Sequence, residues 1–230
     1  MLKLEDIIIA TGDFTLAADL TVAPGSSVAV IGPSGAGKST LLEAIAGFRD
    51  LRRGHILWQG QDLTDLPPGK RPVAMLFQDG NLFPHLTATQ NVGLGLRPNG
   101  RLTPSEHEQV QSALSRVGLA DKGARKPAEL SGGQQSRVAL ARVLVQQRAC
   151  LLLDEPFAAL GPALKAEMLD LVAELVSETG TTLLMVSHEP EDARRIAAQA
   201  LLVADGVAHA PMATAELLDN PPPALRDYLG

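Results

Sequence analysis

Eight consecutive residues, Gly32-Pro33-Ser34-Gly35-Ala36-Gly37-Lys38-Ser39, restrict this chain more than any others. They fit the pattern G-x-x-x-x-G-K-[ST] in full. Before them stands an apolar run that reads as a buried strand, Ser27-Val28-Ala29-Val30-Ile31. After them, Lys38 to Phe48 has helical periodicity, with Leu41, Leu42, Ile45 and Ala46 on one face. A chance glycine turn has no reason to carry both flanks. Strand, glycine loop and helix in that order predict an α/β fold built to hold phosphate. The glycines allow close backbone approach that a Cβ obstructs, so successive N–H groups can point at phosphate oxygens. The helix presents its positive end to the same oxygens. Lys38 adds a full charge near the β and γ phosphates of a nucleoside triphosphate, and Ser39 is placed to bind Mg²⁺. Gly32 through Ser39, with Thr40 behind them, form the expected ATP-binding segment.

The 230 residues are many for one domain and few for two, which predicts one α/β domain with an inserted or appended subdomain. Aromatic residues are 3% against 45% hydrophobic overall, so the core is expected to be aliphatic. A net charge of −6 argues against nucleic acid as a partner. The single cysteine, Cys150, excludes an internal disulfide and opens an apolar run, so it reads as a small buried hydrophobe. The start, Met1-Leu2-Lys3-Leu4-Glu5-Asp6, does not resemble a secretory signal, and no run approaches the ~18 apolar residues that span a bilayer. The expected place is the cytosol or the cytosolic face of a membrane.

Strands are predicted over 2–9, 14–22, 27–31, 54–58, 73–77, 150–153, 182–186 and 200–204, with a hairpin turn at Asp205-Gly206. From Gln78 to Arg148 strand signals vanish, and helical ones appear around 87–96, 105–117 and 132–147. This predicts a catalytic core of about 1–78 and 149–230 interrupted by a helical subdomain over 79–148, all within one domain. Further helices are expected over 162–178 and 190–198.

Other motifs complete the chemistry. Leu151-Leu152-Leu153-Asp154-Glu155-Pro156 is an apolar strand ending in two carboxylates. Asp154 at the tip is placed to hold Mg²⁺ through water, and Glu155 to polarise an attacking water as general base. Gln78, after the strand Val73 to Phe77, is a neutral amide able to touch Mg²⁺ or water. His188 ends another apolar strand, where an imidazole could sense a γ-phosphate; His55, His85, His107 and His209 read as surface. In Leu130-Ser131-Gly132-Gly133-Gln134 the serine reads as a helix N-cap, and the two glycines leave the first-turn N–H groups uncovered. A plain capped helix is expected to need neither both glycines nor the glutamine. One nucleotide does not require two glycine-rich helix starts from one chain, so the second is expected to serve a nucleotide held against a second copy.

Together these pieces resemble the ATP-binding subunits of ABC transporters. Gly32–Ser39 is similar to their Walker A loop, Gln78 to the Q-loop, Leu130–Gln134 to the signature motif, Leu151–Glu155 to Walker B, and His188 to the switch histidine. The resemblance implies a P-loop NTPase domain: a RecA-like mixed sheet core with an antiparallel β subdomain and an inserted α-helical subdomain. It implies ATP and Mg²⁺ as ligands. It also implies a head-to-tail homodimer with each ATP between one chain's Walker A and the other's signature. The insert around 79–97 would dock on a membrane permease through Leu82, Phe83 and Leu86, for which core packing is the equal alternative. Arg71 to Gln78, Asn81-Leu82-Phe83 and Asn91 to Leu96 are closer still to the subunits serving bacterial thiamine importers. That implies uptake of thiamine and its phosphates, a periplasmic binding protein as indirect partner, and a place on the cytoplasmic face of the inner membrane.

The chain departs from the family pattern in three places. Ala158-Ala159-Leu160-Gly161 stands where Ser-Ala-Leu-Asp is usual, so Gly161 lacks the carboxylate that helps couple the two ATP sites. Thr11 stands where an aromatic residue usually stacks on adenine; Phe14 is a substitute or a core residue. Gln135-Ser136-Arg137 replaces Arg-Gln-Arg. Competing classes are an importer for another small solute (an anion, a metal or a polyamine), a soluble ABC ATPase acting on DNA or ribosomes, and an ordinary P-loop kinase. The kinase leaves residues 130–134 without a role.

Overall fold

The computed structural model describes residues 1–78 and 81–229. Residues 79 and 80, with which the expected helical segment opens, lie outside the described residues. In chain order the strands are β1 (Leu2–Thr11), β2 (Phe14–Val22), β3 (Ser27–Ile31), β4 (Arg53–Trp58), β5 (Gln61–Asp62), β6 (Val73–Leu76), β7 (Cys150–Asp154), β8 (Thr182–Val186), β9 (Gln199–Ala204), β10 (Val207–Ala208) and β11 (Met212–Ala213). The helices are α1 (Lys38–Ala46), α2 (Ala88–Gly93), α3 (Pro104–Arg116), α4 (Gly132–Leu144), α5 (Pro162–Thr179), α6 (Pro190–Ile196), α7 (Thr214–Asp219) and α8 (Pro223–Leu229).

The strands join in the order β5-β4-β1-β2-β10-β9-β3-β8-β7-β6, with β11 also on β9. The first half of this order is antiparallel, β1 pairing with both β2 and β4, except where β10 joins β2 in parallel. The other half, β9-β3-β8-β7-β6, is parallel throughout. Every residue of β7 and β8 is buried, as expected of parallel strands covered on both faces. Their alternation feeds two separate cores. Ala29, Ile31, Leu151, Leu153, Leu183 and Met185 face the side where α3, α4 and α5 pack. Val28, Val30, Cys150, Leu152, Leu184 and Val186 face α1 and the antiparallel strands. Cys150 is fully buried, as its apolar neighbours predict, and burial pushes its thiol up to about 12.

Between β6 and β7 the chain forms α2, α3 and α4, which pack on one another while α4 also touches β6. Thr87, Thr103 and Ser131 each begin one of these helices in a capping box, the side-chain oxygen accepting from the third residue's N–H. α1 is closed at its far end by Arg71, whose guanidinium donates to the carbonyls of Ala44 and Ile45 at 2.9 Å each. Asp205 and Gly206 both have positive φ, the conformation a two-residue hairpin between β9 and β10 demands.

Candidate functional site

Parallel pairing brings the carboxyl ends of β3, β8, β7 and β6 side by side, and every candidate except the signature leaves the sheet at that edge. β3 runs straight into the glycine loop. Gly37 has φ 103° and gives α1 no side-chain cap, so the first-turn N–H groups face outward. At Gly32, with φ 150°, a β-carbon would overlap the Val203 carbonyl, and at Gly37 it would come within 2.6 Å of the Phe14 ring. Phe14 therefore packs against the loop and on the β-strand core, and stays partly exposed. Thr11 accepts a hydrogen bond from Arg49 at 3.1 Å, and Arg49 is paired with Glu43.

Lys38 is buried, and its ammonium donates to the carbonyls of Gly32 and Pro33 at 2.8 Å each. Burial holds it below the ordinary lysine range, against the pull of Glu155 and Asp154. Ser39 Oγ donates to Asp154 Oδ1 at 3.1 Å, joining the two residues expected to share a metal. Burial also lifts the Asp154 carboxyl above its usual range, and the Ser39 hydrogen bond opposes this. A desolvated ammonium and a desolvated carboxylate both gain from a charged ligand, so the site's chemistry fits a Mg²⁺-bound polyphosphate.

Glu155 has φ 46°, a left-handed conformation unusual for a residue with a side chain. Its N–H donates to the Val186 carbonyl at 3.2 Å, across to β8. That places its carboxylate against His188 Nε2. Ser34, Gly35, Gly37, Lys38, Ser39, Thr40, Glu155 and His188 line one open cleft. Gln78 leaves β6 just beyond Leu76, which pairs with Leu153, and is exposed. Among the described residues it bonds to neither Ser39 nor Asp154.

The signature residues do not line that cleft. Ser131 Oγ accepts from Gln134 N–H at 3.3 Å, and Gln134 Oε1 accepts from Ser131 N–H at 3.0 Å. Gln134 thus has a use in its own chain, and the expectation that a capped helix would not need it is corrected. Gly133 is buried against Leu164 of α5, and Leu130 is buried in the core. Of the two glycines, only Gly132 combines exposure with open space where a Cβ would lie. Gln135, which replaces the usual Arg, donates to the carbonyls of Pro127 and Leu130 at 3.0 and 3.1 Å and so shapes the entry to α4.

Of the expected docking residues, Leu82 packs on the core while Phe83 is 46% exposed. Asn91, wholly buried, accepts from Phe83 N–H at 2.8 Å and donates to the carbonyls of Phe83, Leu86 and Thr87 at 3.1 Å. It sets the shape of the 83–87 loop. An amide in an otherwise buried helical position, between Ala88 and Val92, is the sequence signal for it. His55, His85, His107 and His209 are exposed, as expected.

The family of ABC transporters matches residues 16–158. The thiamine import ATP-binding protein ThiQ of Ruegeria sp. (strain TM1040) is 67% identical over 100% of both chains. That of Cereibacter sphaeroides is 62% identical, again over 100% of both, and that of Brucella suis is 50% identical over 100% of this chain and 95% of its own. Two solved structures of a dimeric bacterial ABC transporter cassette, one in a post-hydrolysis state with ADP and Pi, superpose with TM-scores of 0.81 and 0.80. Each is 28% identical and covers 93% of this chain and 99% of its own. The chain belongs to the ABC transporter ATP-binding family, with the P-loop NTPase fold, and within it groups with the thiamine import ATP-binding proteins.

Proposed function

We propose that this chain hydrolyses ATP to drive a bacterial importer for thiamine and thiamine phosphates. The observation that carries the ATPase reading is the meeting of Lys38, Ser39, Asp154, Glu155 and His188 at one sheet edge. The thiamine relatives, at 50–67% identity, support the cargo.

The triphosphate is received by the loop N–H groups from Gly32 to Ser39, with Lys38 on its outer phosphates. Ser39 and Asp154, with Gln78 nearby, are the residues that would hold Mg²⁺, which neutralises phosphate charge when bound. Glu155 takes a proton from the attacking water, and His188 orients the Glu155 carboxylate and the γ-phosphate. The residues 130–134 of a second copy close the other side, as a cleft without its own signature residues suggests. Removing the γ-phosphate weakens that closure and lets the copies part.

Phe83 and its loop dock on a permease at the cytoplasmic face of the inner membrane, and a periplasmic binding protein delivers the cargo to that permease. Co-expression tests this. The chain should co-purify with its neighbouring permease and confer ATP-dependent uptake of labelled thiamine on vesicles. Recovery of nucleic acid and no permease would sink the importer reading.

A further inference from the structure

Directly behind the cleft lies a buried charge cluster that none of the expected motifs uses. Lys165, in the first turn of α5, is 9% exposed; Asp192 and Ser187 are 6% exposed each. Lys165 Nζ donates to Glu189 Oε1 at 2.7 Å and to Asp192 Oδ2 at 2.8 Å. Ser187 Oγ donates to the same Asp192 oxygen at 2.6 Å. The N–H of Glu189 donates to Ser187 Oγ at 3.2 Å. Both neighbours of His188 in the chain are therefore bound into one cluster, with Lys165 as the cation that joins it. A small cavity lined by Glu155 and His188 as well as by Lys165 and Asp192 puts cluster and reacting pair back to back.

Stability does not account for this arrangement. Removing two charges from water costs several kcal/mol, and apolar residues of similar volume commonly hold such a position as well or better. Burial alone would lower the Lys165 ammonium; its hydrogen bonds to Asp192 and Glu189, with their charges, outweigh it and hold it above the ordinary range. It stays a cation. A point charge that grips Glu189 on one side of a turn and, through Asp192, reaches Ser187 on the other holds both arms of that turn. The turn in question is Ser187-His188-Glu189, and His188 meets Glu155 at its tip.

We infer that Lys165 is a positioning residue: through Asp192, Glu189 and Ser187 it fixes the loop that aims His188 at Glu155. It touches no reacting atom. The inference rests on the ATPase reading. It also gives α5 a role, since the helix start that follows Gly161 anchors the switch loop of its own chain.

The test is steady-state ATP hydrolysis by the full purified chain, with thermal unfolding in parallel. Lys165→Met keeps the apolar stem and removes the charge. Its kcat should fall ~10-fold or more, with KM for ATP within about 2-fold, because binding groups stay in place while the reacting pair loses alignment. Lys165→Arg should restore most of the lost rate. Lys165→Met leaves Asp192 buried without its cation and so is prone to unfold. The double variant Lys165→Met/Asp192→Leu removes both charges and is expected to unfold at the parent's temperature while remaining slow. An active parent alongside a double variant of equal kcat overturns the inference alone. So does a Lys165→Met defect that merely tracks its unfolded fraction. A parent without ATPase activity overturns the reading beneath it as well.

Discussion

Leu164, in the first turn of α5, occupies the space that a β-carbon on Gly133 would need. The neighbouring Gly132 meets nothing within 4 Å. Two adjacent glycines of one motif therefore have different reasons to be glycine. Gly133→Ala must displace the Leu164 side chain from its place between α4 and α5, and should cost about 1–3 kcal/mol of stability together with ATPase activity. Gly132→Ala should leave the unfolding temperature unchanged or slightly raised, since alanine suits a helix better. It should still lose ATPase activity if its face serves the nucleotide of a second copy, as proposed above. Thermal unfolding and ATP hydrolysis on both variants decide this; equal destabilisation of the two would refute the division.

Asn91 bonds across the 83–87 loop from inside the core, and Phe83 is the exposed apolar residue that the loop presents. Asn91→Leu keeps the branching of the side chain but leaves the N–H of Phe83 and the carbonyls of Phe83, Leu86 and Thr87 without their partner, at a cost of about 1–3 kcal/mol. The loop should lose its shape while the ATP cleft keeps its own. Thiamine uptake in vesicles should fall several-fold further than hydrolysis by the isolated chain. Parallel losses in the two assays would mean the loop has no docking role.

Strand bounds at Phe14–Val22, Ser27–Ile31 and Thr182–Val186 match the expected ranges residue for residue, because glycine, proline or polar residues bracket each apolar run. Helix ends are less legible. The periodicity carries α2 to residue 96 and α4 to residue 147, yet they stop at Gly93 and Leu144. Apolar Leu94, Leu96 and Val145 prolong the pattern, while the chain tightens into turns that close on Val92, Gly93, Val143 and Leu144. The two-residue strands β5 and β11 and the short α7 carry too little periodicity to be seen. Walker-type residues are legible because they are contiguous. Lys165 is not, since its partners Glu189 and Asp192 lie on another element and a lone lysine in a helical pattern reads as solvated.

Gly161 has φ −64° and ψ 155°, which any residue adopts, and open space where a Cβ would project. Neither conformation nor crowding requires glycine there. It also leaves α5 without a side-chain cap. Gly161→Asp should add a few tenths of a kcal/mol through capping and raise ATP turnover above the parent's if the carboxylate usual at this place in the family pattern couples the two sites. Chemical denaturation and hydrolysis rates measure both. A variant that fails to fold, or turns over more slowly, would show that the glycine itself is required.

Cys150 is fully buried, with its thiol pushed up to about 12. A raised folded value means that its contribution to stability is whole below the ordinary thiol range and is lost as pH climbs through about 12. At pH 8 the native thiol should label with a disulfide reagent about 10³-fold more slowly than in the denatured chain, following its thiolate fraction and its enclosure. Rapid labelling under native conditions would contradict this packing.

Glu155 holds a left-handed backbone conformation next to His188, a strain of about 1–3 kcal/mol that the fold sustains only where something else requires it. Glu155→Gln keeps the backbone, the size and a hydrogen-bonding side chain for His188, and removes only the ability to accept the water's proton. ATP should still bind, kcat should fall ~10²–10⁴-fold, and Mg-ATP should hold two copies together for long enough to be seen by light scattering. Glu155→Gly offers the complementary measurement. Relief of the backbone strain should raise its unfolding temperature above that of Glu155→Gln while hydrolysis stays as low. Parent-like turnover in either variant would remove Glu155 from the role of base and pass that role to another group lining the cleft.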